Sequence, residues 1–225
     1  MNKQLLKISL LSILMELAFI VAAQMEPSYL SDTLVDVRDN KVYEIVRINK
    51  LWWFKDNLNY ETKLSHCPNY NKKDSDCEQG NFYAYQELDT ICPKGWRVAE
   101  TTDWEKYLKV IRESKNIEIE NIGIDTFPGE YLSINFTDLT DQLHLFEKNN
   151  PLGLASYGWV EGRKRNNKNT ATLWAKHPGY NDNRFHLHIG DKNYILHTHA
   201  HNIDDKSRKV RKFMVKCVCE DEAFR

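Results

Sequence analysis

What this chain lacks narrows it first. Of its 225 residues, 31 are Lys or Arg and 32 are Asp or Glu, a net charge of −1. A chain this close to neutral has no excess charge with which to hold nucleic acid or an anionic membrane. Beyond residue 23 there is no long apolar run, and a mean hydropathy of −0.62 with 28% charged residues describes a hydrated surface. No internal repeat and no low-complexity linker divides the chain. No pair of carboxylates stands out as general acid and base, and no nucleophile comes with a recognisable partner set. Cysteine is scarce, at five residues. None lies near residue 24, which excludes a lipid-modified cysteine there.

The one long apolar stretch is at the start. Lys3 and Lys7 precede Ile8–Ala23, which is broken by Ser9, Ser12 and Glu16 and closes on Val21-Ala22-Ala23. This order predicts a cleavable signal peptide over residues 1–23, with Gln24 as the new N-terminus. The 16 residues of Ile8–Ala23 fall short of the roughly 20 that span a bilayer. Glu16 would be costly in lipid, and no basic stop-transfer cluster follows. The mature chain then holds 29 basic and 31 acidic residues, still near neutral. About 200 residues, with 41% hydrophobic content in the whole chain, suffice for one core and one domain.

The mature chain reads as a short linker, 24–33, and a domain over 34–221. From Val35 to Phe54, β-branched and aromatic runs are separated by Asp39-Asn40 and by Asn49-Lys50. Both are turn pairs, because Asn tolerates positive φ. The spacing predicts a three-stranded antiparallel meander. Thr102 followed by Glu105 is a capping box, and Trp104, Leu108 and Ile111 recur at helical spacing. They predict an amphipathic helix over about 103–114. Ile117–Ile124 reads as an extended segment, and a second helix fits part of Asp138–Glu147. After Pro151 the pattern is β again, ending in a strand from Lys212 to Val218. The fold class expected is α+β: a small twisted antiparallel β core, one clear helix and long loops.

In an exported chain, Cys67, Cys77, Cys92, Cys217 and Cys219 read first as disulfides. Cys67 and Cys77 bracket a polar loop, and Cys92 then needs Cys217 or Cys219. One thiol is left over. Zinc is the competing use, but Cys-x-Cys without a spaced partner pair is a weak metal motif.

Several blocks occur in an order that resembles one family. Asp36–Ile48, Trp52-Trp53, Asn57-Leu58-Asn59-Tyr60, Cys92-Pro93-Lys94-Gly95-Trp96-Arg97-Val98, Asp103-Trp104-Glu105, Leu173-Trp174 and Phe213–Val218 together resemble the Fibrobacter succinogenes major paralogous domain. They span about residues 34–220. The resemblance implies an exported domain related to C-type-lectin-like and formylglycine-generating-enzyme folds. It also implies pairing of Cys92 with Cys217 and of Cys67 with Cys77, with Cys219 unpaired. It brings no settled activity, and a fold by itself licenses none. Here Asn40 and Asn49 stand where the family has glycine, a tolerable exchange because Asn adopts the left-handed conformation. Around Ala155–Trp159 and Arg163–Arg165 the chain departs from the family pattern.

Three groups of residues are candidate sites. Six of the eight histidines fall between residues 177 and 201. With a hairpin turn at Asp191-Lys192, His186 faces His197, and His186, His188, His197 and His199 share one face. Neutral imidazoles so placed suit Zn²⁺, Cu²⁺ or Ni²⁺. Otherwise they form the polar outer face of a hairpin. Tyr180, Asn181, Asp182 and Asn183 offer oxygen atoms to Ca²⁺, but no partner motif from another loop occurs and turn chemistry explains them better. Trp159, with Arg163 and Arg165, is the surface candidate for stacking on a sugar or gripping a peptide. Cys217-Val-Cys219 would suit a cysteine oxidase of the formylglycine-generating type only if Cys217 were free. The expectation is a non-catalytic exported module that binds a glycan or protein, with no required cofactor.

Overall fold

The computed structural model describes residues 29–67, 77, 80–115, 121–125, 131–135, 151–154, 158–161, 164–166, 171–176, 183–191, 194–202 and 211–220. The expected signal peptide and the helix expected within 138–147 lie outside these residues.

Three antiparallel sheets, one α-helix and a short 3-10 turn at Tyr85–Glu87 make up the regular elements of the described residues. The first sheet contains β1 (Leu30–Asp36), β2 (Lys41–Ile48), β3 (Leu51–Phe54), β5 (Arg97–Val98) and β14 (Cys217–Glu220), in the order β1-β2-β3-β14-β5. The second runs β4 (Tyr83–Ala84), β13 (Arg211–Phe213), β8 (Trp159–Glu161), β9 (Lys164–Asn166). The third is built from β10 (Ala171–Trp174), β11 (Asn183–Asp191), β12 (Tyr194–Asn202), β7 (Tyr131–Asn135) and β6 (Asn121–Asp125), in that spatial order. The α+β class follows, with the helix α1 (Thr101–Lys115) between β5 and β6.

The N-terminal meander forms as its turns dictate. Asn40 has φ +61°, and the two-residue turn Asn49-Lys50 has φ +48° and +66°. Positive φ at both central residues matches the right-handed twist of the flanking strands. Strand β1 begins at Leu30, inside the stretch read as linker. In β3 all four residues are buried, because both faces of this sheet are covered. Val46, Trp53 and Val218 stand in register across β2, β3 and β14 and enter one core cluster with Trp104 and Tyr107 of the helix. Ile45, Phe54, Cys217 and Cys219 enter the cluster on the other face. Trp53 and Trp104 meet edge to face at 5.0 Å, a geometry that adds about 1 kcal/mol beyond area burial.

The helix starts two residues earlier than expected, and its cap uses a different carboxylate. The Glu100 carbonyl accepts the Trp104 N–H at 3.1 Å, so Glu100 is the N-cap. Asp103, three residues on, accepts the Glu100 N–H at 2.8 Å. Asp103 therefore fills the place assigned to Glu105, which is exposed. Both carboxylates suit a first turn, and Arg97 decides between them by bonding Asp103 at 2.5 Å.

The closing strand expected over Lys212–Val218 is two strands. Phe213 pairs with Tyr83 in the second sheet, and Val218 pairs with Trp53 in the first. Between them the chain changes sheets. Val215 O accepts from Leu58 N at 3.0 Å and Lys216 O from Ala99 N at 3.0 Å, so the crossing leaves neither carbonyl unpaired.

Two disulfides are formed, Cys67–Cys77 and Cys92–Cys217. The second ties the loop before β5 to β14, across 125 positions of sequence. Cys219 is free and buried. Among the described residues, no helix is long and apolar enough to cross a membrane.

Candidate functional site

The most chemically unusual group is Lys216. It lies in the run Phe213-Met-Val-Lys-Cys217-Val, and its residue is 0% exposed. Its Nζ donates to Leu152 O at 2.8 Å and also to Lys55 O. The ammonium side chain thus joins three segments: the crossing before β14, the end of β3, and residues 151–154. Burial drives its pKa down to about 7, against a smaller opposing pull from Asp56. Gly153 has φ +56°, and a Cβ there would stand 3.5 Å from Lys55 O. The backbone of residues 151–154 therefore closes directly over the tie.

A second buried charge sits at the β1–β2 turn. The Asp36 side chain is 0% exposed and meets Arg38 Nη2 at 2.6 Å. Arg38 Nε also donates to Asp36 Oδ1 at 2.9 Å, and Nη1 donates to Ile91 O at 2.8 Å. The guanidinium lies 3.9 Å from the Tyr60 ring centroid. Burial pushes the Asp36 carboxyl up, but the Arg38 bonds and charge outweigh this and hold it below 3.8. One side chain thus gathers the Asp36 turn, Tyr60 and the loop before Cys92. These family-block residues are scaffold. The same holds for Arg97, which bonds Asp103 and Glu220 together.

Asn57–Tyr60 is held in the same manner. Tyr83 Oη donates to Tyr60 O at 2.7 Å, and the Asn59 N–H donates to Tyr43 Oη at 3.0 Å. Asn81 Nδ2 donates to Asn59 Oδ1 at 3.1 Å. Gly80, at φ +94°, passes so close that a Cβ would stand 2.6 Å from Asn57 Cβ.

Trp159 is half-buried and packs against the core cluster that contains Phe213 and Trp174. The β8–β9 ribbon pairs it with Asn166, and pairs Val160 with Arg165. Alternation along a strand therefore puts Trp159 and Arg165 on opposite faces of the ribbon. Arg163 lies outside the described residues, as do Tyr180, Asn181 and Asp182.

The histidine hairpin exists, in a different register from the one expected. Asp191 pairs with Tyr194, so His186 stands opposite His199 and His188 opposite His197. Moving the centre of the hairpin by one position shifts every partner by two. His186 is also not on a solvated face. It is 1% exposed, stacks on Phe213 at 4.5 Å and 20°, and meets Trp174 edge-on at 6.2 Å. Among the described side chains, no three of His, Cys, Asp and Glu come together as a metal site.

Cys217 is engaged with Cys92. Cys219, in register with Trp52, is 3% exposed, and burial pushes its thiol pKa up. That environment opposes thiolate formation, on which cysteine reactivity depends. Lys216 and the Asp36–Arg38 pair were not singled out from sequence. A lysine inside the apolar run Phe213–Val218 was the available signal for the first.

Comparison with known proteins gives one family. The model of the Fibrobacter succinogenes major domain matches residues 46–218, from the middle of β2 into β14. No curated protein matches the chain, and no solved structure does.

Proposed function

We propose, from the premise that this chain belongs to the Fibrobacter succinogenes major domain family, that it is an exported, non-catalytic module binding a glycan or a protein. The carrying observation is how the described polar groups are used. Asp36, Arg38, Arg97, Asp103 and Lys216 all bond within the scaffold, and the disulfides hold its distant ends together. A scaffold so committed suits the display of variable segments, and recognition residues concentrate on such segments. Two disulfides also accord with an oxidising compartment. A C-type-lectin-like core belongs to the same proposal: strands from near both ends pair as β3 and β14, and residues between α1 and β13 form the displayed part.

The recognition surface proposed lies within residues 125–205 and centres on the β8–β9 ribbon. Strand β9 is an edge strand, and Trp159 offers an aromatic body that is only half covered. An aromatic face flanked by polar residues is a suitable platform for a sugar ring or a peptide side chain.

The test is a printed glycan array probed with labelled mature protein. Binding to a defined subset is expected, weakened at least tenfold in Trp159→Ala and unchanged in Val37→Ser. Asn166→Ala, at the position paired with Trp159 on the same face of the ribbon, provides a second variant if Trp159→Ala fails to fold. Uniform absence of binding on glycan arrays and in a cell-surface protein pull-down refutes the reading. A formylglycine-generating type of cysteine oxidation would instead require a free and reactive Cys217.

A further inference from the structure

We propose that the β11–β12 hairpin carries a site for a divalent transition metal, formed by His188, His197 and His199, with His186 excluded from it. The register carries this inference. His188 stands directly opposite His197, and further along the ladder His186 stands opposite His199. Directly opposed residues of an antiparallel pair have Cβ atoms about 4.5–5.5 Å apart. Residues two apart on one strand share a face about 6.5–7 Å apart. His188, His197 and His199 therefore occupy three corners of a compact block on one face of the sheet. This is the spacing at which three imidazoles can converge on one ion.

The fourth corner has another use. His186 is stacked on Phe213 and set edge-on to Trp174, so it serves the core as a third aromatic ring. Its removal from the set leaves three nitrogen donors, the number that gives zinc a fourth position for water or a ligand.

The neighbouring strands add a second observation. In the row that contains His188 and His197, β10 places Thr172 opposite His188, and β7 places Ser133 opposite His197. Gly123 of β6 follows opposite Ser133. The histidine pair is thus flanked in register by a hydroxyl residue on each side. In the row of His186 and His199, Trp174 is opposite His186. A metal-bound imidazole needs a polar partner for its other nitrogen, and hydroxyl residues at these positions supply that chemistry. Imidazole donors favour Zn²⁺, Ni²⁺ and Cu²⁺ over Mg²⁺ or Ca²⁺, with Cu²⁺ the tightest.

The experiment is calorimetric titration of the mature protein with zinc sulfate. The expected result is one zinc per chain. His188→Gln and His197→Gln each weaken it by more than the roughly 10–100-fold attributable to an outer partner. His186→Phe, which preserves the stack, leaves the affinity within about threefold, as does a His177→Gln, His201→Gln double variant. Should the strand variants fail to fold, the unmodified protein still decides the matter through diethyl pyrocarbonate modification mapped by mass spectrometry. Zinc is expected to protect His188, His197 and His199 and to leave His177 as reactive as before. Absence of zinc uptake by the unmodified protein overturns the proposal. So does uptake that ignores both His188→Gln and His197→Gln, or protection confined to other histidines.

Discussion

Replacing Lys216 by Met keeps an unbranched side chain out to the ε position and removes the terminal nitrogen. The structure then dictates a pH dependence of stability. The folded pKa of Lys216 is lowered by burial to about 7 from an ordinary 10.5. Between these values the unfolded chain binds more protons than the folded one, so stability rises with pH across the window. The full difference between the two limits is about 5 kcal/mol at roughly 1.36 kcal/mol per pKa unit. From about pH 7.5 to about pH 9.5 the wild type therefore gains about 2–3 kcal/mol that Lys216→Met does not. The substitution also removes the Nζ donor from Lys55 O and Leu152 O, a pH-independent cost of about 1–3 kcal/mol for each acceptor. At neutral pH the relief of the buried charge offsets part of this cost. At the alkaline end nothing offsets it. Tyr43 and Tyr83 have pKa values pushed up by burial, and they cancel in the comparison. The assay is urea unfolding followed by tryptophan fluorescence at half-unit steps, in a Cys219→Ala background that prevents thiol exchange. A stability difference between the two proteins that stays flat across the whole window would refute the reasoning.

Arg38→Met leaves the Asp36 carboxylate buried without its guanidinium, and a loss of about 3–5 kcal/mol is expected. Chemical denaturation of Asp36→Asn with Arg38→Met should recover part of this loss. In the wild type the contribution of Asp36 is lost only as pH falls below the usual carboxylate range, and Arg38→Met should bring acid unfolding to higher pH. Gly80→Ala places a Cβ 2.6 Å from Asn57 Cβ at φ +94°. A loss of at least about 2 kcal/mol is expected from the backbone conformation and the clash, and a melting temperature indistinguishable from wild type would contradict it. Lys50 sits at φ +66°, so Lys50→Gly should stabilise by about 0.5–1 kcal/mol. Thermal unfolding of the purified variant measures this directly.

The meander was legible because its signals are local. Asn40 and Asn49 mark turns that only a few residue types make well, and the β-branched runs between them have no competing reading. The helix was legible in its buried stripe of Trp104 and Tyr107 but not in its first turn, where Asp103 and Glu105 satisfy the same local rule. Arg97, six residues before Asp103, makes the choice, and it lies outside the four-residue window of the capping box. The histidine hairpin was legible as a hairpin. Its register was not, because Gly190-Asp191-Lys192-Asn193 offers several turn positions and the wrong one shifts partners by two. Burial of His186 depends on Phe213, which arrives from the end of the chain. The same distance hides Lys216: its partners at Lys55 and Leu152 are distant in sequence, and a lysine is ordinarily a surface residue. The division of Lys212–Val218 into two strands likewise depends on which sheet receives each half.

A scaffold locked by Cys92–Cys217 and Cys67–Cys77, with Cys219 buried inside it, is what the proposed non-catalytic binding role rests on. Its most direct test is a disulfide map of the mature protein, alkylated without reduction, digested and read by mass spectrometry. Those two cross-linked peptide pairs are expected, with alkylation confined to Cys219 and fast only after unfolding. Native, rapid alkylation of Cys217, or a bridge between Cys217 and Cys219, would contradict this and favour the alternative of cysteine-based chemistry.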